Sequence, residues 1–112
     1  MNLEYTELTD GIRLIRLEGR LDLNGTYDIE VQFTNRCMGD NLRILVDLSK
    51  VSYVSSVGIP MLVNTAKSVV SRGGKMAFLS PQENVLKVLE LVGVSQFIPI
   101  YYEQSLALEG LM

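Results

Sequence analysis

The sequence predicts an α/β domain in which helices flank a small, mixed and mostly parallel β-sheet. Short apolar runs typical of buried strands occur at residues 42–48 and 75–79. Amphipathic segments of helix length lie between and after them, and strands that alternate with such helices form parallel, right-handed crossovers. With 112 residues, 47% of them hydrophobic, the chain suits a single domain over residues 1–112.

The first two strands are predicted to form a hairpin. Residues 3–9 alternate weakly between polar and apolar side chains, and a second apolar run starts at Ile12. The Asp10-Gly11 pair between them favours a tight turn. We therefore expect two antiparallel strands, followed by a loop over residues 19–25.

Residues 26–38 fit two interpretations. The strand-like alternation comprises Ile29, Val31 and Phe33, and the helical spacings comprise Tyr27, Val31, Thr34 and Met38 together with Ile29, Phe33 and Cys37. The length of the segment and the glycine at its end, Gly39, favour a helix.

The third strand, at residues 42–48, leads through a serine-rich loop to a helix over residues 57–72. This helix is predicted because apolar residues recur three and four positions apart. They are Ile59, Leu62, Val63, Ala66 and Val70. The pair Gly73-Gly74 ends the helix.

After the fourth strand, the sequence SPQE at residues 80–83 has the pattern of a capping box with proline in the first turn of a helix. Gly93 closes that helix, whose apolar face comprises Val85, Val88, Leu89 and Val92. A last strand over residues 97–101 contains Pro99, which favours an edge position. A short helix over residues 103–111 completes the predicted order β-β-α-β-α-β-α-β-α.

The composition argues against several kinds of site. Ten basic residues are scattered among 13 acidic ones and give a net charge of −3, which does not suit a nucleic-acid surface. With one cysteine, Cys37, and no histidine, neither an internal disulfide nor a structural zinc site can form. There is no phosphate-binding loop motif, so we expect no catalytic residue, metal or cofactor. The absence of a long apolar run or a signal-peptide pattern predicts a cytoplasmic protein without membrane insertion.

The most informative segment is DLSKVSYVSSVGI, at residues 47–59. A buried strand runs into a loop with several serines, and the loop leads directly into an amphipathic helix. Ser55 and Ser56 are therefore expected to be exposed at a helix N-terminus. A serine in that position can cap free backbone N–H groups, which contributes about 1 kcal/mol.

This segment resembles the signature of STAS domains, the family that includes bacterial anti-sigma factor antagonists. The residues that correspond to the family pattern are Tyr53 and Val54 for an apolar pair, Ser55 for a position that is often Asp, Ser56 for a phosphorylated serine, Gly58 for a glycine and Ile59 for an aliphatic residue. LEGRLD at residues 17–22 and LELVG at residues 89–93 extend the resemblance over nearly the whole chain.

The resemblance implies a STAS-like domain that acts as an anti-sigma factor antagonist. Such a protein binds an anti-sigma factor serine/threonine kinase, which releases a sigma factor. Phosphorylation of Ser56, or as second choice Ser55, switches it off, and a serine phosphatase resets it. The expected partner-binding residues are Asp22, Asn24, Tyr53, Ser55, Ser56, Val57, Gly58 and Ile59.

Two alternatives remain. The first is a STAS scaffold or accessory subunit of a signalling or transport assembly, in which Ser56 is only a helix cap. The second, more distant, is a small enzyme that uses Asp47 and the serine loop. Pro60 adds a structural question: it removes an early hydrogen bond if the helix begins near Ser56, but costs little if Gly58 is the cap.

Overall fold

Five strands and four helices make up the chain. The computed structural model describes residues 1–112 apart from the side chain of Thr9. The strands are β1 (Asn2–Glu7), β2 (Ile12–Leu21), β3 (Arg43–Val54), β4 (Lys75–Leu79) and β5 (Ile100–Tyr101), and the helices are α1 (Leu23–Arg36), α2 (Gly58–Ser71), α3 (Glu83–Leu91) and α4 (Gln104–Leu111). The predicted fold class and element order are confirmed.

One mixed sheet has the strand order β1-β2-β3-β4-β5. The first two strands are antiparallel, as predicted, and all other neighbours are parallel. In the turn between β1 and β2, Asp10 and Gly11 adopt positive φ angles of 72° and 75°, which an Asp-Gly pair tolerates well. The predicted edge position of the last strand is also confirmed.

The two faces of the sheet carry separate hydrophobic cores, because successive side chains of a strand point to opposite faces. Helices α1, α2 and α3 cover one face, where Phe33 and Phe78 are fully buried. Helix α4 covers part of the other face. Burial of each large apolar side chain contributes roughly 1.5–3 kcal/mol, so both layers hold the sheet in place.

Two predicted loops belong to strands and helices instead. Residues 19–25 are not a loop, because β2 continues to Leu21 and α1 begins at Leu23. Likewise β3 extends through the predicted serine loop as far as Val54. In this extension the side chains of Val51 and Val54 are buried in the larger core, the one covered by α1, α2 and α3. Their burial holds the backbone of β3 beside β2.

The predicted capping box was wrong. Helix α3 begins at Glu83, no side chain caps it, and Ser80 has a φ of 53° that turns its backbone away from a cap geometry. The Gln82 side chain instead donates from Nε2 to the Ser49 carbonyl over 3.0 Å. This bond satisfies the Ser49 carbonyl, which lies on the part of β3 that has no partner in β4.

Some positions on the predicted apolar faces are exposed. Val70 and Val92 point to solvent, and Val69 takes the buried position on α2. On α1, Ile29 and Phe33 are buried whereas Tyr27 and Val31 are exposed. The last strand is shorter than predicted and begins at Ile100, directly after the proline that cannot donate to a neighbouring strand.

Candidate functional site

The candidate site lies where β2 and β3 end and α1 and α2 begin. Leu21 and Val54 are the last paired residues of the two parallel strands. The backbone N–H and the hydroxyl of Ser55 each donate to the Leu21 carbonyl over 3.0 Å. The segment after β2 and the segment after β3 are therefore tied together, which brings Asp22 close to the serine pair. Ligands and partners of α/β proteins commonly bind at this edge of the sheet.

The Ser55 side chain is fully committed to holding the start of α2. Its Oγ accepts from the backbone N–H groups of Val57 and Gly58, each over 3.2 Å. Because it also donates to Leu21, its single proton and both lone pairs are used. Ser55 thus performs the capping function expected of the serine pair.

The Ser56 side chain, by contrast, is exposed, and its hydroxyl forms no hydrogen bond within the described residues. Pro60 lies in the first turn of α2 and has no N–H to donate to the Ser56 carbonyl. Because the first N–H groups of a helix have no acceptor within it, a proline at the third residue of α2 costs little. Of the two serines, Ser56 has the free hydroxyl.

Gly58 and Ile59 support this loop from inside the protein. A Cβ atom at Gly58 would lie 2.5 Å from Leu21 Cγ and 2.7 Å from the Leu21 carbonyl oxygen, so no side chain fits between α2 and β2. Ile59 is buried in the larger core. Both residues were predicted to contact a partner, but their burial suits them to positioning the loop.

Asp22 is the N-cap of α1. Its Oδ1 accepts from the Gly25 N–H over 2.8 Å, and its carbonyl accepts from the Thr26 hydroxyl over 2.7 Å. The Gly25 hydrogen bond and, to a smaller extent, the Arg20 charge lower the pKa of Asp22. The carboxylate is therefore ionised at neutral pH and is a fixed negative charge at the start of α1.

Two residues of the site were missed in the sequence. The Arg20 guanidinium stacks over the Tyr53 ring, 4.4 Å from its centroid, and its Nε lies 3.6 Å from Asp22 Oδ2. Gly25 is required because a Cβ atom there would meet the Arg20 carbonyl oxygen. The spacing of Asp22 and Gly25, three residues apart, could have indicated a helix cap in the sequence. The contact between Arg20 and Tyr53 could not, because these residues are 33 positions apart.

The exposed and half-buried predicted residues lie beside the start of α1. We call this group the loop surface and define it by Asp22, Asn24, Tyr53, Ser56 and Val57. Next to it, α1 exposes three apolar side chains four positions apart, which we call the α1 stripe: Leu23, Tyr27 and Val31. Exposed apolar groups beside polar ones are typical of protein-binding surfaces.

Comparison with known proteins gives the family. The STAS domain family model matches residues 5–107. The chain belongs to the STAS domain family. A Thermotoga neapolitana protein with the provisional name of an anti-sigma factor antagonist is 40% identical over 67 residues, 60% of this chain and 59% of the relative. This chain thus matches about three fifths of that protein's length.

Two other relatives match over almost the full chain. An anti-sigma F factor antagonist of Paenibacillus polymyxa is 26% identical over 113 aligned positions, and the alignment covers 99% of this chain and 97% of the relative. A Thermotoga maritima crystal structure, of a protein also provisionally named as an anti-sigma factor antagonist, superposes with a TM-score of 0.83. Its identity is 26%, with 97% of this chain and 93% of that chain covered.

The STAS domain does not bring Asp47 to the serine pair, Ser55 and Ser56. Asp47 lies seven residues before Val54 on β3, a separation of roughly 20 Å along a strand. Its carboxylate accepts from the Ser49 N–H over 2.9 Å and lies 3.7 Å from Arg16.

Among the described residues, no group of three acidic, cysteine or histidine side chains could hold a metal ion. Each helix in the described part of the chain is too short or too polar to span a membrane.

Proposed function

We propose that this STAS domain is an anti-sigma factor antagonist whose binding is switched off by phosphorylation of Ser56. Its partner is an anti-sigma factor serine/threonine kinase, and a serine phosphatase reverses the modification. One observation carries the proposal: Ser56 presents an exposed, uncommitted hydroxyl at the edge of the sheet where β2 and β3 end. The names of the relatives support the functional class.

The different hydrogen bonding of the two serines favours Ser56 over Ser55 as the site of phosphorylation. A kinase must remove the hydroxyl proton and reach the oxygen, and at Ser55 the proton and both lone pairs are engaged. Modification of Ser55 would break three hydrogen bonds that hold α2. The alternative of a scaffold in which Ser56 only caps the helix is less favoured, because Ser55 caps α2.

The loop surface and the α1 stripe suit a protein partner. Tyr53 is 39% exposed and Val57 is 40% exposed, and both lie beside the polar groups of Asp22 and Ser56. Interfaces combine such aromatic and apolar contacts with a polar rim. The nucleotide required for phosphorylation belongs to the kinase, so the STAS domain itself binds no cofactor.

A phosphate on Ser56 would affect the fold and the interface differently. It adds a charge of about −1.5 to −2. At the start of α2, the helix dipole stabilises an anion by roughly 0.3–1 kcal/mol, so the domain stays folded. Burial of the same charge against a partner without a counter-ion costs several kcal/mol, so the complex dissociates.

Phosphate mapping tests this proposal. The purified chain is incubated with ATP and each anti-sigma factor kinase encoded in the same genome, and the product is analysed by intact-mass and tandem mass spectrometry. We expect one phosphate, on Ser56, with none added to Ser56→Ala and normal addition to Ser55→Ala. Phosphate on Ser55 would overturn the assignment of the residue, and no transfer from any of these kinases would overturn the switching mechanism.

A further inference from the structure

The end of β2 carries a basic side chain that the proposed function does not use. Arg20 is the only basic residue in the two segments that meet at the site, residues 20–25 and 53–58. We propose that Arg20 is the intramolecular counter-ion of phosphorylated Ser56, and that its guanidinium leaves Asp22 to bind the phosphate. This inference rests on the proposed function, since it concerns Ser56 in its modified state.

The Arg20 side chain is held in place yet has free donors. Its guanidinium lies 4.4 Å from the centroid of the Tyr53 ring and contacts Asp22 through Nε at 3.6 Å. Stacking on an aromatic ring orients the flat group. Within the described part of the chain, its one polar contact is the pair that Nε forms with Asp22, and 62% of the side chain is exposed. A guanidinium with unused N–H groups can bind a phosphate through two parallel hydrogen bonds.

The backbone places Arg20 and Ser56 close together. Arg20 is the register partner of Tyr53 across the β2–β3 pair. Ser55 donates its N–H to Leu21 over 3.0 Å. Ser56 thus follows the donor of this bond, in the turn before α2, and Arg20 precedes its acceptor on β2, with consecutive Cα atoms about 3.8 Å apart. A long, exposed arginine side chain can span that gap.

The charges around the serine favour such a counter-ion. Asp22 is ionised and held by Gly25, and it directly follows Leu21, to which Ser55 is bonded, so a phosphate on Ser56 adds a second negative charge to this edge of the sheet. On α3, which contacts the extended end of β3, Glu83 and Lys87 form their own pair at 3.6 Å, and their charges cancel. Arg20 is therefore the available cation.

This pairing would change more of the surface than Ser56 itself. When the guanidinium turns to the phosphate, it leaves the Tyr53 ring and the Asp22 carboxylate, both of which belong to the loop surface. Phosphorylation then alters three neighbouring groups that a partner would contact. Arg20 acts here as a positioning residue and a sensor of the modification.

The test uses a chain with phosphoserine incorporated at position 56 during translation, so that no kinase is involved. Titration followed by ³¹P NMR gives the second pKa of the phosphate, which is about 6 in an unperturbed phosphoserine. We expect Arg20→Gln to raise this pKa by about half a unit or more, because a nearby opposite charge favours the charged form. Arg20→Lys keeps the charge without the planar fork and should raise it less.

Arg16→Gln is the matched control. Arg16 lies on the same strand and contacts Asp47, about 13 Å from Arg20 along β2, a distance at which salt screens most of the interaction. Its substitution should leave the phosphate pKa unchanged. Equal pKa values in the unsubstituted, Arg20→Gln and Arg16→Gln chains would overturn the proposal.

A second measurement needs no substitution at Arg20. The Nε–Hε resonance of Arg20 should shift when position 56 carries phosphoserine instead of serine, and an unmoved resonance would also overturn the proposal. Because the phosphate is introduced without a kinase, these results do not depend on whether a kinase modifies Ser56. A failed phosphate-mapping experiment and a failed Arg20 test therefore have separate meanings.

Discussion

The Ser55 hydroxyl donates to the Leu21 carbonyl over 3.0 Å and accepts from two backbone N–H groups of the turn that begins α2. This side chain ties together the ends of two parallel strands and the start of a helix. Its neighbour Ser56 takes no part in that network and remains exposed. A structural role and a proposed signalling role are thus divided between adjacent serines.

This division predicts that the two alanine substitutions affect stability to different extents. Ser55→Ala should lower the free energy of unfolding by about 1–2 kcal/mol, because it removes a helix cap and leaves partly buried backbone groups unpaired. Ser56→Ala should change it by less than about 0.5 kcal/mol, as expected for an exposed site without contacts. Urea denaturation of both variants measures the difference. Equal losses would contradict the assignment of the cap to Ser55.

Gly58→Ala should be strongly destabilising. The new methyl group would lie 2.5 Å from Leu21 Cγ and 2.7 Å from its carbonyl oxygen, so α2 must move away from β2. We expect a loss of about 2 kcal/mol or more in thermal or urea unfolding. Asn64→Ala, at an exposed position of the same helix, is the control and should cost less than about 0.5 kcal/mol. Similar stabilities of the two variants would show that the helix start is not tightly packed.

Asp22 should make stability depend on pH. Its pKa is lowered from 3.8 in the folded chain, so its ionised form stabilises the fold above that value. This contribution is lost as the pH falls through the folded-state pKa. Asp22→Asn keeps an oxygen that can cap α1 but cannot titrate. The difference in unfolding free energy between the unsubstituted chain and the variant should be constant near neutral pH and shrink below pH 3.8. A difference that is independent of pH would contradict the role of the carboxylate.

The α1 stripe should contribute to partner binding but not to stability. Val31 is 69% exposed on α1, and Val70 is 51% exposed near the far end of α2. Val31→Asp should weaken binding of the anti-sigma factor kinase at least about tenfold, since a carboxylate would be buried against the partner. Val70→Asp is the same change outside the proposed interface and should leave the affinity unaltered. Calorimetric titration compares them, and equal affinities would exclude the stripe from the interface.

The sequence was most informative where periodicity and glycines agreed. The strand at Lys75–Leu79 has the predicted bounds, and α2 lies within the range predicted for it. The pair Gly73-Gly74 ends that helix as expected, because Gly73 adopts a φ of 81° that few other residues tolerate. These features are local, so neighbouring residues are sufficient to specify them.

The extended part of β3 could not be predicted in the same way. Its buried residues Leu48, Val51 and Val54 are three positions apart, because the register with β2 shifts twice along this stretch. A strand is recognised by a spacing of two, so this stretch of serines and spaced apolar residues indicated a loop. The family resemblance singled out the serine pair, but the hydrogen bonds that separate the roles of Ser55 and Ser56 involve Leu21, which is distant in sequence.

We propose that a phosphate on Ser56 switches partner binding without unfolding the domain. The decisive comparison is a calorimetric titration of an anti-sigma factor kinase from the same genome with the unmodified chain and with the chain carrying phosphoserine at position 56. We expect the phosphorylated chain to bind at least roughly thirtyfold more weakly, a loss of about 2 kcal/mol or more. Ser56→Asp should weaken binding less, because it carries less charge, and should change stability by no more than about 1 kcal/mol. Equal affinity of the modified and unmodified chains, with both remaining folded, would contradict the claim and place the switch elsewhere on the domain.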